Sequence, residues 1–299
     1  MTTAASDTSL LFPGTSAEAE ENPVTGGMCV YLFCCARVTA AAMMVNTTAA
    51  GLEPDQELYM VALGDFVAVA CDVRLADWTG PSGESNLGNL AWVAPRALHH
   101  QGVLEQVMAT SPVLPLPVGT LFSSQAALLL WLAQRYHRIA EFLGWIADKE
   151  EWSLKLLLDA PRAEASWLAA EPRLLSSGTS AGSRYLLEKK LRTEAAQRVR
   201  QVARKAEAAL YERLGDVVLM RHARRLLPQH SPDPQHQALS HSALLILRAG
   251  HEALLAMATE FNTYHAESGV RVEMSGPWPA ATFVPAFSDD EATLGAYDA

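Results

Sequence analysis

The order in which strand-like and helix-like patterns alternate through the second half of the chain restricts its fold more than any single residue does. "EWSLKLLLDA" sets Trp152, Leu154, Leu156 and Leu158 against Ser153, Lys155 and Leu157, the two-residue period of a strand. After "SSGTSAGS", Leu187, Leu191, Ala195, Val199, Val202, Ala206, Leu210 and Leu214 step by three or four, as on one face of a long helix. "DVVLMRHARRLL" reads as a strand, "PQHSPDPQHQ" as a loop and "ALSHSALLILRAG" as the next strand. A helix follows with Leu254, Met257, Ala258, Phe261 and Tyr264 inward, Gly269 stops it, and "VRVEMSG" is the last strand. Strand, helix, strand, strand, helix, strand is the split βαβ, ferredoxin-like plan.

The first half follows a looser version of the same pattern. "MCVYLFCCARV" is one strand, and "LYMVALGDFVAVACDV" is two, turning at Gly64-Asp65. "PSGESNLGN" is expected to be a loop. "APRALHHQGVLEQVMA" carries Leu98, Val103, Leu104 and Val107 at helical spacing, with Pro95 near the first turn. "SPVLPLPVGTLF" holds too many prolines for a central strand and suits an edge. Ser123 or Ser124 can then cap a helix running to Trp145 with Leu128, Leu132, Tyr136, Ile139, Leu143 and Ile146 on its buried side. The expected fold is therefore α+β in two domains, a looser sheet-and-helix unit over 28–148 and a ferredoxin-like unit over 149–287. An acidic disordered arm (1–27) and an acidic disordered tail (288–299) complete the expected organisation.

Charge and cysteine usage narrow the function. A net charge of −10 argues against a general nucleic-acid binder. From Arg184 to Arg225, however, twelve Lys or Arg stand against five Asp or Glu, a local net of +7. Cysteines 29, 34, 35 and 71 lie in apolar runs without a C-x-x-C pair, as buried reduced thiols of a cytosolic protein would. The first 27 residues lack a secretory signal, and no apolar run approaches the roughly 18 residues of a spanning helix. The sequon at Asn46-Thr47-Thr48 is read as chance.

No catalytic constellation emerges. "GTSAGSR" (178–184) precedes a helix but lacks the lysine and spacing of a phosphate loop, so it reads as a helix cap. His99 and His100 are adjacent on a helix and point apart. His230, His236 and His241 surround a Pro-rich loop, and Glu150-Glu151 read as solvated linker charges. Arg198, Arg200 and Arg204 mark a basic helix face, whose bland reading is a polar face balanced by the pairs Glu188–Arg192 and Glu194–Arg198. No aromatic platform is interleaved with these charges, which disfavours nucleic acid.

Four segments taken in order resemble the gas vesicle protein F/L family. They are "PVLPLPVGTLF" (112–122, with Pro115, Gly119 and Phe122), "EWSLKLLLD" (151–159, with Trp152), "GSRYLLEKK" (182–190) and "SGPWPAATFV" (275–284, with Gly276, Pro277, Trp278 and Pro279). The chain departs from the family pattern at Pro117-Val118 and Ala280-Ala281. The resemblance implies a non-enzymatic accessory or minor structural protein of gas vesicles in the cytoplasm. It also implies partners, the hydrophobic shell subunit (GvpA) and other accessory gas vesicle proteins, with no cofactor, metal, nucleic acid or membrane. Two rival expectations stand beside binding of the shell subunit. One is a scaffold that uses the basic helix, and the other a nucleotide-dependent enzyme that uses the 178–184 loop. Trp278, with Phe283 and Phe287, is either a buried clasp at the end of the last strand or an exposed docking loop.

Overall fold

Two antiparallel sheets, of five and four strands, organise the computed structural model. It describes residues 27–38, 51–53, 56–175, 181–226 and 236–286. The arm up to residue 26, the tail, the 46–48 sequon, His230, Phe287 and residues 178–180 of the 178–184 loop lie outside the described residues, and 181–184 begin a helix. The chain divides into two compact units, Asp148–Thr282 and the remainder.

In the first unit β1 (Met28–Arg37) is central, and only its two ends are exposed. Burial on both faces explains why its sequence is apolar throughout rather than alternating. The hairpin β2 (Tyr59–Leu63) and β3 (Phe66–Arg74) turns at Gly64-Asp65 and lies along one side of β1. "PSGESNLGN", expected as a loop, is instead largely the short helix α1 (Gly80–Leu87), with its proline in the first turn, where no donor is lost.

Helix α2 (Leu90–Met108) starts a turn earlier than expected because the Asn89 side chain caps it at the Ala91 amide (3.0 Å). Pro95 therefore falls inside the helix. Its buried stripe is His100, Val103, Leu104 and Val107. Leu98, two positions before that stripe, is about 200° away around the helix and 74% exposed.

The Pro-rich segment forms β4 (Val113–Pro115) and then β5 (Leu121–Phe122), both on the side of β1 away from β3. Ser124 caps the next helix at the Ala127 amide (3.2 Å), but the expected single helix breaks at Arg135. It becomes α3 (Gln125–Gln134) and α4 (Tyr136–Trp145). The break sets the Tyr136 ring on Phe66, 5.1 Å between centroids, with its hydroxyl at the hairpin turn.

The second unit has the strand order β7-β8-β6-β9, all antiparallel, as a ferredoxin-like unit requires. Central β6 (Lys149–Leu158) is followed by two helices that sequence periodicity missed, α5 (Ala160–Ala169) and α6 (Pro172–Leu175). Asp159 caps α5 at the Arg162 amide (3.0 Å). The long α7 (Ala181–Leu214) buries Leu191, Ala195, Val199, Ala203, Ala206, Leu210 and Leu214. Ala203 takes the inward place expected of Val202, which is half-buried.

β7 (Val218–Ala223) and β8 (Gln237–Leu247) follow, then α8 (His251–Tyr264) and β9 (Val270–Trp278). α8 buries Leu254 and Phe261, whereas Tyr264, expected inward, is 83% exposed. The alternating face of β6 joins the core: Trp152, Leu154, Leu156 and Leu158 pack with Leu244, Ile246, Val199 and Leu210. All four cysteines are buried and unpaired, and burial pushes the Cys29 thiol up to about 11.

Gly269 joins α8 to β9 in a left-handed conformation (φ +71°), and its carbonyl accepts the Asp159 amide (2.8 Å). An added Cβ would lie 2.7 Å from the Asp159 carbonyl oxygen and 2.9 Å from the Ala163 Cβ. Gly269→Ala is expected to destabilise by about 2 kcal/mol in urea unfolding. Gly102, in the α2 interior with open space at its Cβ position, gives the opposite sign. Gly102→Ala should stabilise by roughly 0.5–1 kcal/mol in the same measurement.

Candidate functional site

Two neighbouring carboxylates open β6. Successive strand residues face opposite sides of a sheet, and both sides of this central strand are covered. Glu150 and Glu151 are consequently buried, at 9% and 1% exposure, and are not solvated linker charges. Each recruits its own partners, as buried charges must. Glu150 accepts the Trp152 indole N–H (3.2 Å) and faces Arg248 Nε at 3.4 Å and His251 Nδ1 at 3.3 Å. The Trp152 and His251 rings meet edge-on at 4.8 Å.

On the other side Glu151 Oε1 accepts Arg224 Nη2 (2.6 Å) and the Thr282 hydroxyl (2.6 Å), and Oε2 accepts the Thr282 amide (3.0 Å). Arg224 also donates to Thr282 Oγ1 (2.8 Å), which closes the triangle. Burial pushes the Glu151 carboxyl above the ordinary range, and the Thr282 and Arg224 donors oppose that shift.

The closing motif is built around the same strand. Gly276 adopts φ +144°, and a Cβ there would come within 3.0 Å of the Trp152 ring and 3.1 Å of the Glu151 carbonyl oxygen. Only glycine lets β9 lie so close to β6. The strand runs on through Pro277 to Trp278, two residues past Gly276, by slipping register between Glu151 and Ser153. Trp278 is half-buried and donates its indole N–H to Ser275 Oγ (3.3 Å), so it is neither wholly buried nor an exposed ring. Pro279 is buried, and Phe283 is half-buried in a short helical turn. Trp152, Gly276, Pro277, Trp278 and Pro279 therefore come together.

This arrangement is a closed one. The two Glu151 oxygens are engaged by three donors, which hold the carboxylate in place between Arg224 and Thr282. Ser153 and His241 do form a hydroxyl–imidazole pair (Oγ–Nε2 2.9 Å). His241, which falls inside the run read as a strand after the Pro-rich loop, stands on β8 opposite Lys155. Burial first, and then the charges of Arg224 and Lys155, lower its pKa. Those neighbours are cations, and among the described residues no carboxylate orients the ring as in a catalytic triad. His236 faces Asp159 at 3.9 Å. Among the described residues no three His, Cys, Asp or Glu side chains converge as a metal-ligand set, and no helix is long and apolar enough to cross a membrane.

The first unit holds its own polar chain. The Gly119 N–H donates to Tyr31 Oη (3.3 Å), the Tyr31 hydroxyl to His100 Nδ1 (2.7 Å), and His100 Nε2–H to the Leu116 carbonyl (3.1 Å). One neutral tautomer satisfies every bond. It ties the Pro-rich segment to β1, where Pro115 pairs with Cys34 and Phe122 with Val30. The Phe122 ring also meets Trp131 edge-on at 5.6 Å.

Arg198, Arg200 and Arg204 are all exposed on α7 without being one patch, because Arg200 is turned about 200° from Arg198. The expected glutamate pairs also differ. Glu188 faces Arg184 (3.5 Å), and Glu194 faces Arg173 (2.8 Å) and Lys190 (3.9 Å).

The sequence profile described as gas vesicle synthesis protein GvpL/GvpF matches residues 29–285. The chain belongs to this family. Gas vesicle protein L1 of Halobacterium salinarum is 24% identical over 281 residues, covering 89% of this chain and 93% of that protein. Gas vesicle protein L2 of the same organism is 29% identical over 203 residues, 64% and 71% of the two chains. The fold matches the crystal structure of GvpF from Anabaena with a TM-score of 0.59 at 15% identity, covering 87% of this chain and 97% of that one. GvpF from Microcystis aeruginosa gives 0.55 at 12% identity, with coverages of 86% and 99%. Membership gives this GvpL/GvpF protein a role in gas vesicle assembly.

Removing the Glu151 carboxylate leaves Arg224 and Thr282 facing a void, so Glu151→Ala should cost about 3 kcal/mol in urea unfolding. Thr282→Val should cost about 1 kcal/mol.

Burial holds His100 down from 6.5 to about 4. A depressed folded value means that the neutral ring's contribution is complete above pH 6.5 and is lost as pH falls through about 4. Over that window wild type should lose roughly 3 kcal/mol that a His100→Phe variant does not lose, as read by urea melts at stepped pH.

Proposed function

We propose that this protein is a non-enzymatic accessory component that binds the hydrophobic gas vesicle shell subunit (GvpA) in the cytoplasm during nucleation and limits its aggregation. The observation that carries the reading is the outer strand β7. Among the described residues it pairs only with β8, so along its other side a row of backbone donors and acceptors has no strand partner there. Five of its six residues are exposed, including Leu219 at 48% and Met220 at 45%. A β-rich apolar subunit presents sheet edges and hydrophobic surface that must be covered until it joins the shell. Strand addition to β7 would cover both, with backbone hydrogen bonds supplying affinity and Leu219 and Met220 supplying apolar contact. The other family motifs support the reading indirectly, since Glu151, Trp152 and Gly276 serve packing and leave the edge to do the binding.

Affinity capture of the cognate shell subunit by the full chain tests this. Wild type is expected to retain the subunit. A Leu219→Lys, Met220→Lys double variant should lose it while melting within about 0.5 kcal/mol of wild type, because both positions are exposed. Failure of wild type to capture the subunit, together with normal vesicles in a deletion strain, would contradict the reading.

A further inference from the structure

Helix α7 carries cations of two orientations. Arg198, Val202 and Lys205 stand four and three residues apart and share one stripe, whereas Arg200 and Arg204 share another. Arg198 and Val202 of the first stripe line a groove of about 230 Å³ between α5 and α7, and Lys205 follows them one turn on along α7. Trp167, Ala163, Val199 and Val202 give the groove an apolar lining, Arg198 stands on the α7 side, and Glu267 contributes from the turn after α8.

The charges around this groove are unbalanced within the chain itself. "RVRQVARK" (198–205) holds four exposed cations and no carboxylate. Among the described residues none of the four has a carboxylate partner, and Arg198 bonds only the Gln201 amide oxygen (3.3 Å). Earlier along the same helix, by contrast, Arg184 and Lys190 each face a glutamate one turn on. In a chain of net charge −10, a stretch where such pairing stops, beside an open apolar groove, is suited to carboxylates supplied from outside.

We propose that the α5–α7 groove is a docking site for an acidic amphipathic helix of another protein. Its apolar stripe lies over Trp167, Val199 and Val202. Its carboxylates, spaced by about two turns or roughly 10 Å, meet Arg198 and Lys205. A helix fits better than nucleic acid because the groove is lined by apolar side chains and Glu267 would repel phosphate. Glu267 also gives the complex a direction, since the flank of the guest that faces α8 must be neutral or basic. This surface is separate from the β7 edge, and its test does not involve the shell subunit.

The test is fluorescence anisotropy of the full chain with a labelled synthetic helix of about 20 residues, leucine on one stripe and glutamate elsewhere, in about 0.1 M salt. Saturable binding is expected, weakened about tenfold or more by Arg198→Glu with Lys205→Glu and strengthened by Glu267→Lys. Arg200→Glu with Arg204→Glu, which changes net charge equally, should leave binding near wild type. A scrambled peptide of the same composition should bind about tenfold more weakly. Circular dichroism melts establish that every variant folds. The proposal is overturned by no binding, by equal losses from the two charge-reversal pairs, by equal binding of the scrambled peptide, or by displacement by oligouridine. If binding appears only after deletion of residues 288–299, the occupant is the chain's own acidic tail and the proposal of another protein fails.

Discussion

The buried carboxylate of Glu151 is the interaction on which the ferredoxin-like unit is organised. It sits on the central strand β6, while its partners lie beyond the two outer strands, Arg224 just after β7 and Thr282 shortly after β9. One anion thus fixes where both edges of the sheet leave it. Such a pair adds little net stability, because taking the carboxylate out of water costs about as much as its attraction to the half-buried Arg224 returns. Its effect lies in specificity, since any slip of β6 would strand a charge at 1% exposure. Gly276 completes the arrangement by letting β9 approach the Trp152 ring.

Sequence patterns disclosed the topology better than the chemistry. The strand and helix order, the capping role of Ser124 and the stop at Gly269 depend on residues close in sequence, which periodicity and turn rules can read. Glu150 and Glu151 could not be placed that way. Arg224 lies 73 residues from Glu151 and Thr282 lies 131, so adjacent acids before an apolar strand looked like solvent-facing charges. Residue type gave no signal either, because the face of β6 that carries Glu151 also carries Ser153 and Lys155.

Smaller misreadings have equally local causes. Leu98 and Tyr264 fit a helical spacing but fall outside the faces that the sheets cover. α5 escaped notice because its single fully buried residue, Ala163, leaves almost no apolar period. The basic residues of α7 formed one patch in sequence and two in space. The resemblance to the gas vesicle family, by contrast, rested on motif order along the chain, and that order follows from how β6, α7 and β9 are assembled.

A division of labour follows within the second unit. The family's motif residues are largely engaged in packing, and the surfaces proposed for partners are the outer strand β7 and the α5–α7 groove. The account's central claim is that the protein holds the shell subunit before assembly. Light scattering after dilution of the denatured shell subunit into buffer, with and without an equimolar amount of this protein, tests it most directly. The account predicts suppressed scattering without added nucleotide, with the two proteins eluting together on gel filtration. Scattering that rises at the same rate and to the same extent in both samples would contradict it.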